Sequence, residues 1–267
     1  MLSNFHTHTD FCDGKNTPEE IILYAIDNGF SSIGFSGHGY TPFDLRYCMK
    51  DTDGYILAIN ALKEKYKNKI QIYLGIEEDA FSLVKREDFD YIIGSSHYFC
   101  VDGKFHAVDS DYDYFKKCLK LFDDDVIKLS QNYYESFCDY ILKRKPDIVG
   151  HFDLITKFDE IDTKRFLCND EYLKLSEQYM KEALKADVIF EVNTGAVARG
   201  VRSTPYPYEN LLHLIKKQGG KVMLSSDSHQ AETLDFNFKE MKKHLLDIGF
   251  EYVYVIYNNE FKKDFLT

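Results

Sequence analysis

Seven times along this chain a short, almost wholly apolar run is followed by a longer amphipathic stretch, and this alternation narrows the possible folds more than any other feature. The runs are Leu2–Thr7, Ser32–Gly37, Lys69–Ile76, Tyr91–Ser95, Asp147–Gly150, Val188–Val192 and Lys221–Ser225. Near-continuous apolar character is that of parallel strands covered on both faces. Helices are predicted between them. Thr17-Pro18-Glu19-Glu20 combines a capping box with proline at the first helical position, and Ile21, Ile22, Ala25 and Ile26 follow at helical spacing. Further helices are predicted over 53–66, 126–143, 170–186, 207–218 and 235–247, the second of them with Asp123-Asp124-Asp125 beside its positive N-terminal end. Elements alternating in this number predict an α/β fold, a closed or nearly closed (β/α) barrel of about seven units. With no linker, low-complexity tract or repeat in the 267 residues, we read a single domain over 1–267. The insertion at about 98–146 is longer than one helix needs and is expected to form part of a lid.

In such barrels the chemistry sits at the C-terminal ends of the strands. Six of the nine histidines fall there. The first run ends Phe5-His6-Thr7-His8, where a two-residue period points both imidazoles to one face, and Asp13 follows in a turn. Later runs end in Gly37-His38, Ile76-Glu77, Ser96-His97, Gly150-His151 and Ser226-Asp227-Ser228-His229. Each motif alone is weak, since a lone buried histidine is usually a core residue and HxH also arises on a polar edge strand. Their repetition at one end of successive strands is not explained that way, and it predicts a metal cluster. Imidazole and carboxylate without thiolate suit zinc, manganese or iron(II). Glu77 is the best placed to bridge two ions. His106, His213 and His244 fall in a loop and on helices and read as ordinary structural residues.

The net charge of −11 argues against a basic nucleic-acid face. Three divalent ions would bring it to about −5 and make the site itself positive, so a small phosphate ester could bind there. No run approaches the roughly 20 apolar residues of a membrane span, and the strand-like segment so soon after Met1 argues against a signal peptide. The six cysteines form no CxxC pair, which suits reduced thiols and a cytoplasmic protein. Oligomeric state is not legible.

The ordered set HxH, Asp, SGH, GxE, SSH, GH and SDSH resembles the polymerase and histidinol phosphatase superfamily, the PHP domain, over nearly the whole chain. The resemblance implies a distorted seven-stranded (β/α) barrel with three divalent ions. By motif, His6, His8, Glu77 and Asp227 would hold the first, Glu77, His97 and His151 the second, and Asp13, His38 and His229 the third. Some members have histidine in place of Asp13. The length, the insertion, and Glu191-Val192-Asn193-Thr194 followed by Arg199 and Pro205-Tyr206-Pro207 are most similar to the stand-alone histidinol-phosphate phosphatases. That implies hydrolysis of L-histidinol phosphate in histidine biosynthesis, with a hydroxide shared between two ions as the attacking group. Asp227, His229 and Asp153 are the candidates for the acid. Arg199, then Arg165, then Arg202 are the candidates for binding the phosphate, and Glu191 and Asn193 are expected to orient ligands. Rival readings are a phosphodiesterase or exonuclease, a protein-tyrosine phosphatase, and a non-catalytic metal-binding module.

Overall fold

The computed structural model describes residues 1–161 and 164–267. Along the chain run β1 (Ser3–Asn4), α1 (Pro18–Asp27), β2 (Ser32–Phe35), α2 (Thr52–Tyr66), β3 (Gln71–Asp79) and β4 (Tyr91–Ser95). A hairpin of β5 (Tyr98–Val101) and β6 (Lys104–Ala107) follows, then α3 (Tyr112–Lys120), α4 (Val126–Arg144), β7 (Ile148–Val149) and α5 (Asp170–Ala183). The rest is β8 (Ile189–Asn193), α6 (Gly195–Ala198), α7 (Glu209–Lys217), β9 (Lys221–Ser225), α8 (Phe238–Ile248) and a second hairpin, β10 (Tyr252–Tyr257) with β11 (Glu260–Phe265).

Seven parallel strands form one sheet in the order β1-β2-β3-β4-β7-β8-β9. Its two ends meet beyond the named strands, where Thr7 pairs with Ser228. His8 N donates to Ser228 O at 2.8 Å and Ser228 N to His6 O at 3.1 Å. The predicted (β/α) barrel is therefore present and nearly closed. Its strands differ from expectation in length. The first and fifth shrink to two residues each, whereas β3 extends to Asp79. The reason is register: Gln71–Leu74 pair with β2, and Gly75–Asp79 with β4, whose start lies further along.

The barrel axis is filled by Phe5, Tyr73, Tyr91, Ile93, Ile148, Ile189 and Met223, and Val255 and Ile256 of the second hairpin pack into the same cluster. Tyr91 crosses the interior and its hydroxyl donates to Phe5 O at 2.6 Å. It needs glycine at two positions, because a Cβ on Gly34 would lie 2.3 Å from its hydroxyl and one on Gly75 2.2 Å from its ring. The hairpin caps the mouth where the strands begin: Ser32 Oγ donates to Ile256 O, and Asn258 N to Gln71 Oε1.

Local signals set the helices. Thr17 and Glu20 form the reciprocal capping box of α1. Asp125 caps α4 through the amides of Ile127 and Lys128. Of the predicted insertion, α4 packs back against α5, and the β5–β6 hairpin packs against the segment that follows β2. There Phe105 stacks on Phe43 at 4.0 Å, and Tyr98 donates to Asp44 at 3.1 Å. Among the described residues, no helix is long and apolar enough to cross a membrane.

Candidate metal centre

β3 carries three consecutive acids beyond the end of β2 while still paired with β4, and the pleat separates them. Glu77 points into the end of the barrel, where five imidazole nitrogens ring it, His8 Nε2 the farthest at 3.6 Å. His38 Nδ1 is at 2.8 Å, His151 Nε2 at 3.0 Å, His97 Nε2 at 3.3 Å and His6 Nε2 at 3.4 Å. Asp227, on the turn after β9, stands 3.1 Å from His8 Nε2 and 3.6 Å from His6 Nε2. Asp13 lies 3.4 Å from His8 Nδ1, 3.3 Å from His229 Nε2 and 3.7 Å from His38 Nε2. Burial opposes the ionised form of Glu77, yet His97, His38 and His6 hold its carboxyl well below the usual range.

All nine residues named from the sequence as ligands are thus brought together. They form four overlapping groups, His8–Asp13–His38–His229, His6–Glu77–His151, His6–His8–Asp227 and His38–Glu77–His97, with the donor atoms of each within 4.8 Å of one another. The groups overlap more than the three implied by resemblance, since His8 also faces Asp13 and His38 also faces Glu77. Four of these atoms test whether metal fits. His6 Nε2, His8 Nε2, Asp13 Oδ1 and Glu77 Oε2 are buried without a hydrogen-bond partner. Buried polar atoms are normally paired, and converging nitrogen and carboxylate donors of this kind suit divalent cations.

Behind them stands a second rank. Glu191 is buried on β8. Its Oε1 lies 2.5 Å from His6 Nδ1, and its Oε2 accepts from His151 N at 2.9 Å and from Asn193 Nδ2 at 2.8 Å. These bonds aim Nε2 of His6 at Glu77 and anchor the backbone of His151. Asp79 treats His97 alike, with Oδ2 2.9 Å from its backbone nitrogen and 3.3 Å from Nδ1. Asp79 was missed in the sequence, although it lies two residues past Glu77 on the same face.

The cluster opens into a cavity of about 260 Å³, small for a ligand site. Arg199 lines it, with Nη1 donating to Asp227 O at 3.0 Å and Nη2 to Asp227 Oδ2 at 3.0 Å. Arg202 does not line it. That guanidinium is fully buried, 4.2 Å over the Tyr206 ring and 4.0 Å from Asp153. Arg165 does not line it either, but edges a separate small hollow with Phe115, Phe158 and Phe166. Asp159 causes this: its carboxylate accepts from the amides of Phe166 and Leu167 and draws the loop away. Asp153 is wholly buried and accepts from Tyr208 N at 3.1 Å, and burial raises its carboxyl pKa against the pull of Arg202. It too is absent from the cavity wall. His106 stacks on Phe99 and lies outside the nine-residue cluster. Asp109 and Lys157 reach the cavity although neither was singled out in the sequence, and Tyr98 of the aromatic-rich insertion lines it beside them.

Comparison with known proteins agrees with this geometry. Residues 4–195 match the PHP domain. The "Probable histidinol-phosphatase" of Schizosaccharomyces pombe is 29% identical, with 93% of this chain and 87% of that protein covered. The histidinol-phosphatase of Bacillus subtilis is 24% identical over 88% of this chain and 96% of its own. Among solved structures, the histidinol phosphate phosphatase of Lactococcus lactis, in complex with zinc, L-histidinol and phosphate, superposes with a TM-score of 0.72. It is 20% identical, with 98% of each chain covered.

Proposed function

The chain belongs to the PHP domain family, and we propose that it is a metal-dependent phosphomonoesterase converting L-histidinol phosphate to L-histidinol and inorganic phosphate. The observation that carries this reading is the convergence of six imidazoles and three carboxylates in one cluster, seven of whose residues line the small cavity that Arg199 also lines. The relatives supply the substrate: several are histidinol-phosphatases, and the Lactococcus protein was captured with histidinol and phosphate.

His6, His8, Asp13, His38, Glu77, His97, His151, Asp227 and His229 would hold up to three divalent ions, with zinc favoured by the Lactococcus complex and manganese or iron chemically admissible. Such ions supply Lewis acidity and a water activated near neutral pH. The chain's own residues do the rest. Glu191 and Asp79 fix the imidazoles of His6 and His97, so the ligand set is preorganised. Arg199, braced by Asp227, presents its guanidinium to the phosphoryl oxygens. A proton for the departing alkoxide falls to Asp227 or His229, which line the cavity as Asp153 does not. The β5–β6 hairpin serves as the lid, narrowing the entrance to a small ester. The reading places the enzyme in the cytoplasm, in histidine biosynthesis.

The test is a substrate panel on one metal-analysed sample. L-Histidinol phosphate should show the highest kcat/KM among it, glycerol phosphate, phosphotyrosine and a dinucleotide. Chelation should abolish turnover and zinc or manganese restore it. A preference for phosphotyrosine or the dinucleotide moves the protein to another phosphoesterase activity, and full turnover without metal removes the reading altogether.

A further inference from the structure

The residues that line the cavity are of two kinds, the ligand cluster with Arg199, and a second set that includes Tyr47, Tyr98, Asp109, Ser110, Leu154 and Lys157. Outside the nine clustered residues, two carboxylates line it, Asp79 and Asp109. Asp79 is committed on both oxygens, to Phe81 N at 2.9 Å and to His97 N at 2.9 Å. Asp109 is not. Its one side-chain partner among the described residues is Lys157 Nζ, at 3.4 Å from Oδ2. That same ammonium makes its shorter bond, 2.7 Å, to the Asp109 backbone carbonyl. Lys157 thus fixes the position of the residue more than it satisfies the carboxylate. The adjoining amide of Val108 donates to His97 O at 2.9 Å, so the loop is tied to the metal side as well. The result is a firmly placed anion, incompletely paired, lining the same cavity as the residues suited to a phosphate.

Resting on the phosphatase reading, we propose that Asp109 selects phosphate esters of amino alcohols by accepting a hydrogen bond from the substrate's primary ammonium. The phosphoryl end is common to every phosphomonoester and cannot discriminate among them. A carboxylate lining the same small cavity can, because it offers an ammonium a charge-assisted bond and a neutral hydroxyl only a weaker one. An ester with a carboxylate at that end is disfavoured by like charge. Lys157 remains beside the carboxylate and keeps it from being an isolated buried charge when no substrate is present.

The experiment compares L-histidinol phosphate with its des-amino counterpart, 3-(imidazol-4-yl)propyl phosphate, in wild type, Asp109→Asn and Asp109→Glu. The readout is the ratio of the two kcat/KM values, in which any loss of folding or metal common to both substrates cancels. In wild type the ratio should favour the amino ester about 10- to 100-fold. Asp109→Asn should bring it within about threefold of unity, and Asp109→Glu should retain part of the preference. A wild-type ratio surviving in Asp109→Asn overturns the assignment. So does an equal fall on both esters at unchanged ratio, which would mark Asp109 as acting on the leaving group or the fold. A wild-type ratio near one overturns it while leaving the phosphatase reading intact. If wild type does not prefer histidinol phosphate over unrelated esters in the panel, the substrate reading itself fails.

Discussion

Glu77, Glu78 and Asp79 are adjacent in sequence, yet the pleat of β3 gives them three separate tasks. Glu77 faces the imidazoles, Asp79 braces His97, and Glu78 points outward to α4. Glu77→Gln should lower kcat by several orders of magnitude, because one carboxylate there faces His6, His38, His97 and His151 at once. His106→Asn, on the hairpin, should stay close to wild type in the same assay; equal losses in the two would refute the placement of the site. The arginines part in kind. Arg199→Ala should raise KM tenfold or more by losing a contact made in both ground and transition states, roughly the worth of one charged hydrogen bond. Arg202→Ala should act on stability, costing about 3 kcal/mol, because it strips Asp153 of its buried counter-charge. Urea melts beside steady-state kinetics separate the two effects. Eight of the nine clustered residues were legible in the sequence because strand ends announce themselves by an apolar run that stops, and Asp13, in a turn, was reached through the family motif. Arg199, placed first among the arginines, is the one of the three that lines the cavity; that Arg165 and Arg202 turn away from it was not legible, since it depends on the Asp159 carboxylate and the Tyr206 ring.

At the scale of elements, the buried Glu78 joins β3 to α4. Its carboxylate accepts from Tyr140 OH at 2.7 Å, from Arg144 Nε and Nη2 at 2.8 Å each, and from Val84 N at 2.8 Å. Arg144→Met leaves that charge without its cation and should cost about 3 kcal/mol in chemical denaturation. Because Glu78 follows Glu77 directly, part of the loss should also appear as weaker metal retention on dialysis. Retention equal to wild type would show that the strand end is held without α4. The predicted helices α1, α2, α4, α5, α7 and α8 stand within a few residues of expectation, since their caps and periodicity are local. The two hairpins were passed over, although each has a turn signal. Asp102 and Gly103 have φ of 50° and 74°, and Asn258 and Asn259 have 54° and 58°, the positive pairs of a type I′ turn. Their neighbours, Tyr98–Val101 and Tyr252–Tyr257, resemble core strands in composition. What makes them hairpins is the turn between them.

For the whole molecule, the seam between Thr7 and Ser228 has a kinetic consequence. His6 and His8 stand on one side of it, Asp227 and His229 on the other, so the ligand set is divided until the two ends of the sheet meet. Contacts so distant in sequence carry a large loop-closure cost and tend to form late in folding. Metal bound across the join therefore stabilises the native state with little effect on the barrier approached from the unfolded side. Stopped-flow refolding should proceed at nearly the same rate with and without zinc, while unfolding slows with zinc in proportion to the added stability. Acceleration of refolding by zinc would place seam closure before the barrier. On the expected outcome, metal acts as a latch on a barrel that has already shut, and the lifetime of the folded enzyme is set by how tightly its first and last strands are pinned together.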